Sequence, residues 1–154
     1  MTKSETDTML KTKVAGILSG ALVTGIIITL LFAYFRDWSP DIAGYYSYIV
    51  IFFISVFGGI ITNYITKTEE KYVIIKEGII AGIIAYIIFF FIFWIGIYPS
   101  YEPLYGGDAT RAVLMFGGAG IFMIFLFMIP IIIFIIFGEF IISIIRNTLK
   151  HHLH

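Results

Sequence analysis

Four long apolar runs, at residues 14–35, 45–65, 78–98 and 112–145, constrain the fold of this chain more than any other feature. Each ends at charged or turn-forming residues. Each can cross a bilayer, because a hydrocarbon core of ~30 Å needs about 20 helical residues at ~1.5 Å rise. In lipid the backbone polar groups must be satisfied within the segment, so runs of this length become helices. The expected fold is all-α, a polytopic membrane protein with four transmembrane helices in an antiparallel bundle. With 60% hydrophobic residues in 154 and a mean hydropathy of +1.00, the composition lies outside the range of ordinary soluble domains.

The polar residues that remain make an N-terminal segment (1–13), three loops and a tail (147–154), around one transmembrane domain (14–146). The first run exceeds the 7–15 apolar residues of a signal-peptide core and lacks a small-residue cleavage site before Arg36, so it is expected to stay as a span. Lys3, Lys11, Lys13, Lys67, Lys71, Lys76, Arg146 and Lys150 fall on one side of the membrane, against only Arg36 and Arg111 on the other. The positive-inside rule then places both termini in the cytoplasm of a multi-pass cell-membrane protein. Tyr34, Trp38, Tyr45, Tyr46, Tyr48, Trp94, Tyr98, Tyr101 and Tyr105 read as an outer aromatic belt, and Tyr64 and Tyr72 mark the inner face.

Several function classes are excluded at this level. A formal net charge of zero offers no basic patch for nucleic acid. With no cysteine there is no thiolate nucleophile, disulfide or iron–sulfur ligation. Gly117-Gly118-Ala119-Gly120 has neither the preceding strand nor the following Lys-Ser/Thr of a phosphate loop, so no nucleotide is expected. His151, His152 and His154 read as a terminal tail, not a metal site. No cofactor is implied, and no zinc spacing, nucleophile elbow or paired intramembrane carboxylate suggests an enzyme.

Pro40 and the Asp residues of 36–41 make a tight outer turn joining spans one and two. The short, charge-balanced loop 67–71 is expected to make spans two and three neighbours. Residues 99–110, with two prolines and two glycines, form an irregular outer loop. Span four is too long, since an unbroken helix over 112–145 would reach about 50 Å. The membrane segment is therefore placed at 123–145, with residues 112–120 projecting, tilting or folding back. Pro130 frees the carbonyl of Leu126 and favours a kink.

A faint repeat links the halves. Gly16-Ile17-Leu18-Ser19-Gly20 opens span one as Gly78-Ile79-Ile80-Ala81-Gly82 opens span three, and Phe57-Gly58-Gly59 is echoed by Phe137-Gly138-Glu139. The chain reads either as two duplicated hairpins, related by an axis along the membrane normal, or as a chance match in an apolar sequence.

Gly16, Gly20, Gly78 and Gly82 form two Gly-x-x-x-Gly faces, and Gly59 lies with Ser55 and Asn63 in a third stripe beside Gly58. Such faces let helix backbones approach, within one chain or between copies. Glu139 is the acidic residue that stands clearly inside an apolar run, about two turns from Arg146. Ser143 and Arg146 share its helix face. Ser19, Thr62, Asn63 and Tyr86 fall at comparable depth by the same counting, so these seven residues make a candidate polar layer. It reads either as a proton or cation site, or as a structural hydrogen-bond node, or as a carboxylate snorkelling with Arg146.

The Gly58-Gly59 pair, the charged turn after Ile65 and Lys76-Glu77-Gly78-x-x-x-Gly82 resemble the pattern of small archaeal four-span membrane protein families of unknown function, over roughly the middle third of the chain. The resemblance implies the four-span fold and lends no activity. From sequence the leading expectation is a non-enzymatic membrane component, a scaffold or accessory subunit of a homo-oligomer or larger complex. The alternative is a small ion channel or proton- or cation-coupled carrier using Glu139.

Overall fold

The computed structural model describes residues 3–35, 40–97 and 124–152. Helix α1 runs over Lys3–Phe35, α2 over Pro40–Thr66 and α3 over Lys71–Ile97. A π-helical turn, Ile124–Met128, leads directly into α4, Ile129–His152. No strand occurs among the described residues, and four helices are long and apolar enough to cross a membrane: Glu5–Leu31, Tyr48–Thr66, Lys71–Ile92 and Leu126–Lys150. Helix α1 passes without a break from the polar residues 3–13 into the apolar run. The π turn sits just before Pro130. Proline has no N–H and its ring crowds the carbonyl four residues back, and a wider turn relieves both. The glycine cluster at 117–120, the third loop and Trp38, Tyr98, Tyr101 and Tyr105 of the outer aromatic belt lie outside the described residues.

The α2–α3 link is tied to both helices. Lys67 adopts φ 54° and its N–H donates to the Asn63 carbonyl at 2.8 Å, the left-handed closure of a helix C-terminus. Asn63 Nδ2 donates to the Thr68 carbonyl at 2.8 Å, and the Thr68 hydroxyl donates to Glu77 Oε2 at 2.8 Å. The Thr66 and Thr68 hydroxyls are 3.2 Å apart; because Thr68's one hydrogen goes to Glu77, Thr66 is the donor between them.

The helices form a ring in which α1 packs on α2 and α3, and α4 packs on α2 and α3. Helices α2 and α3 face each other across the diagonal and touch little, which corrects the expectation that their short link makes them neighbours. Four linking residues reach up to roughly 16–18 Å. A diagonal of about 11–14 Å, from sides of 8–10 Å, is within that reach.

Glycine positions fix the directions. Gly16 abuts the Thr62 carbonyl and Gly20 that of Gly58, so α1 and α2 are antiparallel. Gly78 meets Ile136 and Gly82 meets Ile132, so α3 and α4 are antiparallel as well. Gly59 faces the backbone of Ile135 and Gly138 that of Val56, a reciprocal crossing of α2 and α4. The pairs Phe52–Phe134 and Asn63–Arg146, which rise together along both helices, show that the two run parallel. Matched helices of the two hairpins, α1 with α3 and α2 with α4, are thus adjacent. A two-fold axis along the bundle would put them on opposite corners, so the hairpins stack side by side, and the rotational relation expected from the repeat does not hold.

Small and apolar residues fill the middle: Ala21, Ala81 and Ala85 with Ile28, Ile51, Phe89, Phe127, Ile131 and Ile135. Larger side chains such as Leu30, Phe53, Phe57, Phe91, Ile133 and Phe137 point outward. Lipid rewards no burial of Leu or Phe, so close packing selects small residues inside and leaves bulk outside.

Candidate functional site

The end of the bundle that carries Lys13, Lys67, Lys76, Arg146 and Lys150, here termed the basic end, also holds the interior polar groups. Glu139 of α4 is fully buried, and neither of its carboxyl oxygens has a hydrogen-bond partner. Its position follows from two glycines. A Cβ at Gly78 of α3 would lie 3.3 Å from Glu139 Oε1, and one at Gly59 of α2 would lie 3.0 Å from the Glu139 backbone nitrogen. Gly78 thus leaves room for the carboxyl group, and Gly59 lets α2 approach the α4 backbone that carries it.

A second carboxyl lies beside it. Glu77, next to Gly78, is 4% exposed and close enough to Glu139 to interact with it electrostatically. Its Oε2 accepts the Thr68 hydroxyl, and its Oε1 lies 3.1 Å from Lys13 Nζ of α1, an ion pair without hydrogen-bond alignment. Sequence reasoning missed Glu77 because it adjoins Lys76, a turn and a half past the charged loop Lys67–Lys71, and reads as surface. The available signal was its spacing: Glu77, Ala81 and Ala85 recur every fourth residue, on the small-residue face that α3 buries.

The other residues of the expected layer divide. Thr62, Asn63 and Ser143 are buried near Glu139, and Ser19 is half-buried. Thr62 donates back to the Gly58 carbonyl of its own helix at 3.1 Å. Arg146 turns toward α2, where Nη2 donates to the Asn63 carbonyl at 3.1 Å and Nη1 is buried without a partner. The expected snorkelling of Glu139 toward Arg146 is therefore replaced by an arginine that caps the end of α2. Tyr86 lies two turns beyond Gly78 on α3, about 12 Å along the axis, and its ring packs with Phe89 and Phe90. It belongs to the aromatic layer above the polar one.

That layer seals the far side. Phe89 and Phe127 are in contact, Tyr48 stacks on Phe127, and Ile28, Ile51 and Ile131 are fully buried around them. Between this layer and Glu139 the Thr24 and Ser55 hydroxyls are buried and unpartnered, and on the basic-end side of Glu139 so is Asn63 Oδ1. Unsatisfied buried oxygens are rare in native structures, and each is a position that a water or cation can satisfy. No cluster of three metal-ligating side chains occurs among the described residues.

The six glycines expected to form packing faces are all used inside the chain. Gly16 and Gly20 press on α2, Gly58 on α1, and Gly59, Gly78 and Gly82 on α4.

Fold and interior together define a class, the multi-pass helical membrane proteins with a four-helix bundle, here with acidic residues in its interior. No family model, no curated protein and no solved structure matches the chain.

Proposed function

We propose that this protein binds a proton or a small monovalent cation at Glu139, inside a bundle whose basic end and termini face the cytoplasm, and that it acts as a small channel or carrier. The observation that carries the reading is the fully buried Glu139 carboxyl group with both oxygens unpartnered. A carboxylate withdrawn from water without a partner costs several kcal/mol or more, so a proton or cation must accompany it. Glu77, paired with Lys13, brings a second buried carboxyl to the same interior.

The same glycine contacts weigh against the assembly reading, because the faces that would have argued for oligomerisation are already occupied within the chain. A scaffold or accessory subunit in a homo-oligomer or larger complex remains the competing outcome of the test. Purified protein in liposomes under an imposed potential should carry a proton or sodium flux, and Glu139→Gln should abolish it while keeping the thermal unfolding profile. Wild-type flux equal to that of empty liposomes would overturn the ion reading in favour of the scaffold. A cysteine at exposed Glu70 should resist an impermeant maleimide added to intact cells, since that side is taken as cytoplasmic.

A further inference from the structure

The interior acids are sealed from the far end by the aromatic layer but not from the basic end. A groove of about 540 Å³ runs between α1 and α3, lined among others by Lys13, Lys76, Ile17, Ile80 and Ile84, and Glu77 lies at its base. Lys13 and Glu77 both contribute to its wall, and the Lys13 side chain is 30% exposed where that of Glu77 is 5% exposed. The ammonium group thus reaches from water at the groove mouth to a carboxyl that the solvent barely touches.

We infer that the groove is the access route to the interior site, and that Lys13 is its tethered occupant, an ammonium ion built into the chain that competes with an incoming monovalent cation for Glu77. The inference rests on the proposed ion reading of Glu139. Three observations converge on it. Lys13 Nζ stands 3.1 Å from Glu77 Oε1, so it holds the place beside this oxygen that an incoming cation would need. Thr68 fixes the other oxygen, so the carboxyl group keeps its orientation when the ammonium leaves. Glu77 adjoins Gly78, the residue against which Glu139 Oε1 rests, so a cation released from Glu77 toward the interior meets the Glu139 carboxyl next. A flexible four-carbon stem lets Lys13 withdraw into water without any change in the helices.

Lys76 lines the same groove and has no salt-bridge partner among the described residues, which makes it the internal control. The test is carbodiimide labelling. Dicyclohexylcarbodiimide reacts with buried carboxyl groups, and peptide mass spectrometry reads the label at Glu139 separately from Glu77. Labelling of protein in detergent is measured across a titration of sodium chloride against choline chloride, and separately across pH.

If Glu139 is the ion site, its labelling falls with sodium or with rising pH in the wild type. Lys13→Met should then lower the half-protective sodium concentration, or shift the pH profile correspondingly, on the order of tenfold, the effect of removing an opposite charge at ion-pair distance. Lys13→Arg should behave as wild type, and so should Lys76→Met. An unchanged profile in Lys13→Met, or an equal shift in Lys76→Met, overturns the competitor assignment and leaves the ion site standing. Wild-type labelling that responds to neither sodium nor pH overturns both. Should Lys13→Met unfold, Lys13→Gln in the presence and absence of Glu77→Gln decides the same point, because the assigned effect must vanish once the Glu77 carboxylate is gone.

Discussion

The reciprocal crossing of α2 and α4 sets a quantitative test of the packing. An alanine at Gly59 would put its methyl carbon 2.8 Å from the Ile135 carbonyl carbon, and one at Gly138 would sit 2.8 Å from the Val56 carbonyl carbon. Carbon–carbon contacts settle at about 3.5–4.0 Å. The obstacle is backbone on both sides, so no side chain can swing away, and the two helices must separate by on the order of 1 Å. A gap of 0.5–1 Å forfeits a quarter to a half of the dispersion energy of the facing atoms. Each substitution should therefore cost roughly 1–3 kcal/mol, as overpacking does.

The two sites relieve each other. Once Gly59→Ala has moved the helices apart, Gly138→Ala meets a gap already opened, and the double variant should fall short of the sum by on the order of 0.5–3 kcal/mol. Thermal or denaturant unfolding in detergent, followed by circular dichroism, gives the four corners of the cycle. Outward-facing Ile133→Ala is the reference and should stay within about 0.5 kcal/mol of wild type. Strict additivity, or single variants as mild as the Ile133 one, would refute the shared crossing.

The Asn63 node predicts an order of effects: Asn63→Leu strands the Thr68 carbonyl and should cost about 1–3 kcal/mol, whereas Arg146→Met should cost less because the Asn63 carbonyl keeps the Lys67 N–H. The reverse order in unfolding midpoints would contradict the node. At the surface, the Lys150 ammonium hydrogen-bonds the Glu69 carboxylate and, with its charge and that of Arg146, holds it below its ordinary value of 4.5 against a small opposing desolvation. A depressed folded value means that the pair contributes above pH 4.5 and is lost as pH falls through the lower folded value. Lys150→Met should return the Glu69 midpoint toward 4.5 in NMR titration, with thermal stability unchanged because the pair is exposed and solvent-screened.

Much of the fold was legible because lipid leaves few choices: runs of about 20 apolar residues become helices, and charges mark their ends. The helix order around the ring was not. Loop length bounds the distance between two helix ends but does not choose between a side and a diagonal of the bundle, and the choice lies in which glycine meets which backbone. Glu139 was visible because it interrupts an apolar run. Glu77 was hidden because a charge at the end of a charged segment looks solvated, and only the small-residue spacing of α3 reveals that it turns inward. The role of Arg146 also went the other way, since sequence spacing along α4 cannot show that a carbonyl on α2 lies nearer than a carboxylate on its own helix.

The glycine contacts carry an implication for biogenesis. Gly16, Gly20 and Gly58 complete the α1–α2 interface within the first 66 residues, so that hairpin has its whole contact surface before α3 is translated. When α3 follows, Glu77 meets the Lys13 ammonium already in place on α1. Helix α4 leaves the ribosome last and docks on α2 and α3 through Gly59, Gly78 and Gly82. Glu139 thus enters a cleft shaped in advance by Gly59 and Gly78, with Lys13 already paired to Glu77.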